Sequence, residues 1–468
     1  MTTFVRRLSD KSEIVIALVV ILGTALGIGT AAALYLDLFI VFLVLISGVG
    51  VTAVIYQRPA FGAALILALA PLEGVLMVGG HSFVKLVTVL CVAVLLIRNG
   101  LIDRGFKINL TILIMLPFLI WTFASILWSP EQRSSLSQWI SFVLVCTLYF
   151  ILLNTIQSEK DLKLGLWGHV LGGLVLAIIM INSQVTSNFL RKDGIAGLGV
   201  NLVARIVALN VLLSLFLFRL EKGIVARAIL LISIILSIIG AVISLSRGAW
   251  FAVALSLTAL AIVYLIHGRI KPANLLGLFL IGIITFYALN NYFFTEHGAS
   301  KFETRFEEGV SFEDNAGGRF DIWLVGWKMF ADAPLWGHGF ESFSYNFMTY
   351  ADNSHMGGIH HREDKSPHNS FVGIITQLGL IGFLLFMAVL FSVFRIIWQL
   401  WRQKQVNVPA LAAVSALIVF ILIANSVDYS VDRKYLWYSL CIITLIAEYW
   451  KNDQVTELPD TRKASWLT

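Results

Sequence analysis

Charged side chains are scarce in this chain of 468 residues: only 13% are Asp, Glu, Lys or Arg, whereas 58% are hydrophobic. Soluble domains carry about 25% charged residues, so the shortage excludes an ordinary soluble protein and predicts an integral membrane protein. Most of the net charge of +6 lies in short loops beside hydrophobic segments, which is typical of orientation signals and argues against nucleic acid as a partner. Cys91, Cys146 and Cys441 all lie inside apolar runs, so we expect neither disulfides nor a cysteine metal site.

Several functional motifs are also missing. The sequence contains no nucleoside-phosphate loop, no glycine-rich dinucleotide fingerprint and no nucleophile elbow. It shows no internal repeat of roughly 20 to 50 residues. We therefore predict that the protein uses no cofactor, and that any group it transfers arrives already activated.

Long hydrophobic runs fill most of the chain, and each spanning helix needs roughly 20 apolar residues. The sequence predicts an all-α polytopic membrane protein with about 12 to 14 transmembrane helices. The candidate spans are 14–35, 38–56, 61–78, 82–97, 109–128, 136–155, 167–183, 201–218, 227–245, 249–266, 273–291, 370–398, 408–427 and 434–450.

One polar loop interrupts this pattern. Residues 1–291 hold about 11 of the candidate helices and residues 370–450 hold about 3 more, so residues 292–369 form a single large loop. The Lys and Arg bias of the short loops places both termini, including the tail 451–468, in the cytoplasm and the large loop in the periplasm. No small-residue cleavage site follows the basic N-terminus, so we expect the first helix to be retained.

Aromatic and apolar residues recur at helical spacing inside the large loop, which predicts a short amphipathic helix with Asp314 or Asn315 as its cap. Pro334 predicts the end of this helix, and Gly337 and Gly339 predict turns. The helix either lies on the outer membrane interface or packs on its own bundle. Its predicted apolar residues are Phe320, Trp323, Leu324, Trp327 and Phe330.

Three arginines are candidates for binding an anion. Arg247 lies between two apolar helices, where it either anchors a helix end or binds phosphate oxygens with its planar guanidinium. Arg319 follows two glycines and precedes the loop helix, near a positive helix terminus that favours anions. Arg205 lies early in the helix after Asn201 and either pairs within the bundle or contacts substrate.

His368, between Pro367 and Asn369, is the candidate proton acceptor, because a neutral histidine accepts a proton near physiological pH. The competing hypothesis is a solvated loop histidine. The remaining loop histidines match no strong zinc pattern, so we predict no metal site. They are His297, His338, His355, His360 and His361.

Three segments give the sequence a family resemblance. They are Ser246-Arg247-Gly248-Ala249, Gly318-Arg319-Phe320-Asp321-Ile322-Trp323 with the exit Pro334 to Phe340, and Pro367-His368-Asn369-Ser370-Phe371 followed by Gln377 to Gly382. In this order, they make the region of about residues 195–400 resemble the O-antigen ligase and polymerase superfamily, also called the Wzy_C or WaaL-like family.

The resemblance implies a glycosyltransferase of the bacterial inner membrane with its active site facing the periplasm. Such an enzyme moves a glycan from undecaprenyl diphosphate to an acceptor by a metal-independent, inverting displacement. The resemblance implies that Arg247 and Arg319 bind the diphosphate and that His368 assists the acceptor hydroxyl. Arg205, from its position early in its helix, is a third candidate for binding the diphosphate.

The acceptor stays open at this point. The leading hypothesis is an O-antigen ligase acting on lipid A-core. A Wzy-type polymerase of O-antigen or exopolysaccharide, or a protein O-oligosaccharyltransferase, is the alternative, in part because the helix count exceeds the 12 typical of ligases. A flippase or transporter of lipid-linked sugars is the hypothesis of another class, but such proteins tend to show internal repeats and charges near the middle of the membrane.

Overall fold

The computed structural model describes residues 39–78, 81–102, 105–186, 198–244, 246–271, 319–351, 366–403 and 407–450. Within these ranges the chain is almost entirely helical, with one short antiparallel hairpin of β1 (Met77–Val78) and β2 (His81–Ser82). The helices of the first part of the chain are α1 (Phe39–Gln57), α2 (Pro59–Leu69), α3 (Phe83–Ile102), α4 (Leu110–Ala124), α5 (Gln132–Thr155), α6 (Glu159–Thr186) and α7 (Val200–Leu220). The later helices are α8 (Ile224–Ile243), α9 (Arg247–Ile266), α10 (Arg319–Asp332), α11 (Phe343–Tyr350), α12 (Ser370–Trp401), α13 (Val408–Val427) and α14 (Lys434–Tyr449).

The predicted polytopic membrane fold is confirmed. Nine helices in the described ranges are long and apolar enough to cross a membrane. Every candidate span inside those ranges coincides with a helix, although the span 61–78 ends early. There the helix gives way to a 3₁₀ turn at Ala70–Leu72, because Pro71 has no backbone N–H to continue the ladder. The candidate spans 14–35 and 273–291 lie outside the described residues.

Helix α7 lies at the centre of the bundle, with 83% of its apolar window buried. It carries buried polar side chains, and the amide of Asn210 donates to the hydroxyls of Ser233 and Ser237 on α8, both at 3.0 Å. Polar groups facing lipid would have no partner, so such residues require a helix surrounded by protein. This requirement explains why the helix that bears Arg205 is the central one.

The loop helix predicted after Arg319 is present as α10. It packs on its own bundle, against α11 and α12, through the side chains of Ile322, Val325 and Met329. Three of the predicted apolar residues are exposed instead, and they are Phe320, Leu324 and Trp327. The two hypotheses for this helix are therefore compatible, since one face packs on protein while the exposed apolar face suits a membrane interface. The cap predicted at Asp314 or Asn315 lies outside the described residues.

Helix α12 is interrupted at Gly379, whose φ is +66°. The loop that follows α10 crosses this break and pairs with the freed backbone groups. Leu380 N donates to Pro334 O at 2.8 Å, and Gly339 N donates to Gln377 O at 2.8 Å. Gly337 and Gly339 both have positive φ, so the predicted turn is confirmed. The loop thus fixes the first half of α12, which begins beside His368.

Gly379→Ala should destabilise the fold because a Cβ there would lie 2.3 Å from Leu335 O, and alanine disfavours a positive φ. We expect a loss of about 1–3 kcal/mol in the free energy of unfolding, visible as a lower Tm in detergent. Gly100→Ala, in α3 with no heavy atom within 4 Å of the added Cβ, is the matched control. Equal Tm values for Gly379→Ala and the native chain would contradict the role given to the break.

Candidate functional site

The centre of the site is an ion pair between two residues that are far apart in the sequence. Arg205, on α7, is only 2% exposed, and its Nη2 donates to Oδ2 of Asp428. Asp428 directly follows the last residue of α13. A buried arginine in a membrane protein is costly unless it is paired, so Asp428 is required to keep Arg205 inside the bundle.

The second oxygen of the same carboxylate contacts the candidate base. Oδ1 of Asp428 lies 3.2 Å from Nδ1 of His368. An ionised carboxylate only accepts, so Nδ1 carries the proton in this contact. In the neutral ring, Nε2 is then the unprotonated nitrogen with a free lone pair. The His368 side chain is 38% exposed, and a substrate hydroxyl could therefore approach it.

The charge state of Asp428 follows from its neighbours. Burial by itself raises the pKa of this carboxyl, but the positive charge of Arg205 and the hydrogen bonds from His368 and Arg205 lower it by more. The net pKa lies well below the ordinary value for aspartate. Asp428 is consequently an anion at neutral pH and favours the tautomer of His368 that is protonated at Nδ1.

His368 is fixed by the residues that follow it. Its φ of +46° is in the left-handed region, which non-glycine residues occupy mainly where the surroundings impose it. The Asn369 side chain caps α12 by accepting from Phe371 N at 2.8 Å. The Ser370 hydroxyl donates to Asp428 O at 3.1 Å and accepts from Ser430 N at 2.8 Å. The start of α12 is thus joined to the end of α13.

Arg319 is the first residue of α10, and this helix contacts the segment that carries His368. One turn later, Trp323 Nε1 donates to the carbonyl of Pro367 at 3.0 Å, directly before His368. Gly326 of α10 lies against Val372 of α12. These contacts bring the N-terminal end of α10, which begins with Arg319, close to His368. The positive potential of a helix N-terminus favours an anion at this place.

Arg247 occupies the equivalent place on α9, as the first residue after the N-cap Ser246. The next residue, Gly248, packs against Val427, and a Cβ on it would lie 2.8 Å from Val427 Cγ2. Val427 directly precedes Asp428, so Arg247 lies at the same end of the bundle as the ion pair. A side chain larger than hydrogen at Gly248 would push α9 away from α13.

A second carboxylate, Glu341, is bound by the residue that follows Asp428. The hydroxyl of Tyr429 donates to Oε1 of Glu341 at 3.0 Å, and the Tyr429 ring packs directly on Gly373. Burial, and to a lesser extent the charge of Asp432, raise the pKa of Glu341 to about 7. Glu341 also has a positive φ of +56°, and Glu341 and His368 are the non-glycine residues of the described ranges with that conformation.

The structure therefore brings the predicted residues to one end of the bundle, where Arg205 has the carboxylate of Asp428 as its neighbour. Arg205 pairs within the bundle, which is the alternative that the sequence left open. Sequence reasoning missed Asp428 and Glu341. The signal for Asp428 was available, since an acidic residue at the predicted outer end of an apolar run is a natural partner for an intramembrane arginine.

The other loop histidine in the described ranges, His338, has a backbone partner. His338 Nε2 lies 2.8 Å from the Met329 carbonyl, inside the loop after α10. The described residues contain no cluster of three or more His, Cys, Asp or Glu side chains suited to a metal ion. His297, His355, His360 and His361 lie outside the described residues, so the absence of a metal site stays a prediction.

Comparison with known proteins confirms the family resemblance. Residues 232–387 match the family model Wzy_C, described as "O-Antigen ligase". The chain is also 25% identical, over 353 residues, to a protein of Rickettsia felis named "Putative polysaccharide ligase". That alignment covers 73% of this chain and 80% of the relative. The matched segment contains Arg247, Arg319 and His368, whereas Arg205 and Asp428 lie outside it.

Glu341 makes a testable contribution to the pH dependence of stability. Burial raises its pKa from the ordinary value of 4.5 to about 7, so between these two pH values the folded protein binds more protons than the unfolded chain. Its contribution to stability is therefore full below pH 4.5 and is lost as pH rises through about 7. In Glu341→Gln we expect this part of the decline in Tm to disappear.

The measurement is Tm against pH for the native protein, for Glu341→Gln and for Glu131→Gln, which removes an exposed carboxylate before α5. Parallel curves for the native protein and Glu341→Gln across this range would show that the carboxyl does not titrate as the structure indicates.

Proposed function

We propose that this protein is a membrane glycosyltransferase of the O-antigen ligase type, which moves a glycan from undecaprenyl diphosphate to an acceptor hydroxyl. The family match and the relative from Rickettsia felis support an activity of the ligase type. The observation that carries the proposal is the contact of His368 Nδ1 with Asp428, next to two helices that begin with arginine.

His368 acts as the general base in this proposal. Asp428 keeps the proton on Nδ1, so the lone pair of Nε2 is directed away from the carboxylate and can accept the proton of the acceptor hydroxyl. The same division of roles operates wherever a carboxylate orients a catalytic histidine. A positioned base contributes about 100- to 10,000-fold in rate.

Arg247 and Arg319 bind the diphosphate of the donor. Each begins a helix, so the backbone N–H groups of the first turn add to the positive potential of the guanidinium. Guanidinium groups bind phosphate oxygens in a bidentate manner. We propose that these two arginines neutralise the leaving group and that no metal ion is needed. Arg205 acts as a positioning residue for Asp428, because it is buried and its Nη2 donates to that carboxylate.

The chemical step is a single displacement. The acceptor oxygen forms a bond to the anomeric carbon as its proton moves to Nε2 of His368, and the bond from that carbon to the diphosphate oxygen breaks. The electron pair leaves with undecaprenyl diphosphate, and the configuration at the anomeric carbon inverts. Approximation of the two substrates and neutralisation of the leaving group supply most of the rate enhancement.

The Lys and Arg bias of the loops supports an inner-membrane protein whose site faces the periplasm, where the leading acceptor is lipid A-core. The acceptor is tested by offering purified protein one lipid-linked glycan with three separate acceptors: lipid A-core, a second lipid-linked repeat unit and a pilin-type protein. Transfer to lipid A-core supports the ligase. Transfer only to the repeat unit or to the protein would replace it with the polymerase or the protein glycosyltransferase.

His368→Gln should lower the rate of glycan transfer by about 100- to 10,000-fold while leaving donor binding intact, because Arg247 and Arg319 are unchanged. The measurement combines single-turnover transfer with binding of the lipid-linked donor. His267→Gln, at the other end of α9, is the control for loss of a half-buried histidine. Normal turnover in His368→Gln, or loss of donor binding with unchanged chemistry, would rule out the general base.

Arg247→Ala and Arg319→Ala should each weaken donor binding and transfer, whereas the two lysine variants should restore only part of the activity, because a point charge cannot form the bidentate contact. Arg269→Ala removes an exposed arginine beyond the far end of α9 and is the matched control. Transfer at the native rate in either alanine variant, at equal expression, would remove that arginine from the diphosphate site.

A further inference from the structure

A cavity of about 310 Å³ opens at the end of the bundle opposite to the candidate site. It lies where α4 begins and where α12 and α14 end. Its lining mixes basic, amide and hydroxyl groups with aliphatic side chains. The groups used below are Lys107, Leu110, Arg395, Gln399, Gln403 and Glu448.

The cavity carries excess positive charge. Lys107 is paired with Glu448, so these two charges largely compensate each other. Arg395 also lines the cavity, and no ion pair joins it to a carboxylate among the described residues. The two cations and one anion leave one net positive charge, which attracts an anionic group.

Hydrogen bonds within the protein hold the wall of the cavity in place. Asn154 fixes the segment before α4 by accepting from Lys107 N at 2.7 Å and donating to Lys107 O at 3.1 Å. The Ser392 hydroxyl donates to Thr111 Oγ1 at 2.9 Å and joins α12 to α4. The position of Lys107 is thus set by the fold before anything binds.

A buried polar atom of a residue that lines the cavity lacks a donor. The side-chain oxygen of Gln403 is buried and has no hydrogen-bond partner among the described residues. A buried acceptor without a partner is unfavourable, and rotation of the Gln403 side chain toward the cavity would let a hydroxyl group on the ligand donate to it. The lining therefore favours a ligand that combines an anion with a hydroxyl.

An apolar stripe leads from the cavity toward the middle of the bundle. On α12, Phe391 lies one turn before Arg395 and is 68% exposed, while Arg395 and Gln399 follow on the same face at a spacing of four residues. On α4, Leu110 lines the cavity, and Leu113, one turn further, is exposed. A polar pocket that continues into an exposed apolar groove matches an amphiphile with a charged head and an acyl chain.

We propose that this cavity binds an anionic phospholipid with a hydroxylated head group. Its phosphodiester contacts Arg395 and Lys107, its hydroxyl donates to Gln403, and one acyl chain lies along the stripe of α4 and α12. Basic pockets between transmembrane helices are common binding places for anionic head groups. The site is at the opposite end of the bundle from His368 and does not depend on the proposed glycan transfer.

The test uses the purified full chain in nanodiscs of phosphatidylcholine, with and without phosphatidylglycerol. We expect phosphatidylglycerol to raise the Tm of the native protein and to remain bound in native mass spectrometry. Arg395→Gln should weaken this binding by about 10- to 100-fold, as expected for loss of a charged hydrogen bond, and should abolish the Tm increase. Arg395 is exposed, so the variant should fold.

Arg402→Gln is the matched control, since Arg402 lies on the same end of α12 but stacks on Trp398 and does not line the cavity. It should keep the effect of phosphatidylglycerol. Equal loss in both variants, or no loss in either, would overturn the proposal. Inorganic phosphate added to nanodiscs of phosphatidylcholine alone separates a lipid from a free anion: a Tm increase of the same size, lost in Arg395→Gln, would contradict the lipid assignment.

Discussion

The buried ion pair of Arg205 and Asp428 is the constraint on which the site depends. Arg205 lies in the central helix α7, where an unpaired guanidinium would be costly, and Asp428 is the carboxylate that compensates it. Because Asp428 follows α13 directly, the pair fixes the end of α13 against α7. The second oxygen of the same carboxylate faces His368. The carboxylate that compensates the buried charge of Arg205 therefore also orients the candidate base.

The remaining elements converge on this point through backbone and small-residue contacts. Ser370 joins α12 to the segment after α13, Trp323 ties α10 to Pro367, and Gly248 allows α9 to approach Val427. Backbone contacts also stabilise the interruption of α12 at Gly379, because the crossing loop forms hydrogen bonds with the freed backbone groups. Two helices that begin with arginine therefore start at the same end of the bundle as the oriented histidine.

The sequence predicted the elements better than their arrangement. Hydrophobic runs of about 20 residues are a strong signal, so the helices of the described ranges were predicted well. Motif order indicated Arg247, Arg319 and His368 as candidates. Asp428 was missed because it is 223 residues from Arg205, and periodicity does not tell which helices are neighbours. The buried face of α10 was also missed, since Phe320, Leu324 and Trp327 are exposed. Near a membrane, large apolar side chains need not face protein.

The tautomer of His368 tests the central claim most directly. The measurement is the ¹⁵N NMR spectrum of the full-length protein labelled in its histidine rings, with the His368 signals assigned by their absence in His368→Gln. The account predicts that the neutral ring carries its proton on Nδ1 and leaves Nε2 unprotonated, because the Asp428 carboxylate accepts from Nδ1. A neutral His368 that is protonated at Nε2 would contradict the account, since the nitrogen facing the acceptor would then have no lone pair to receive a proton.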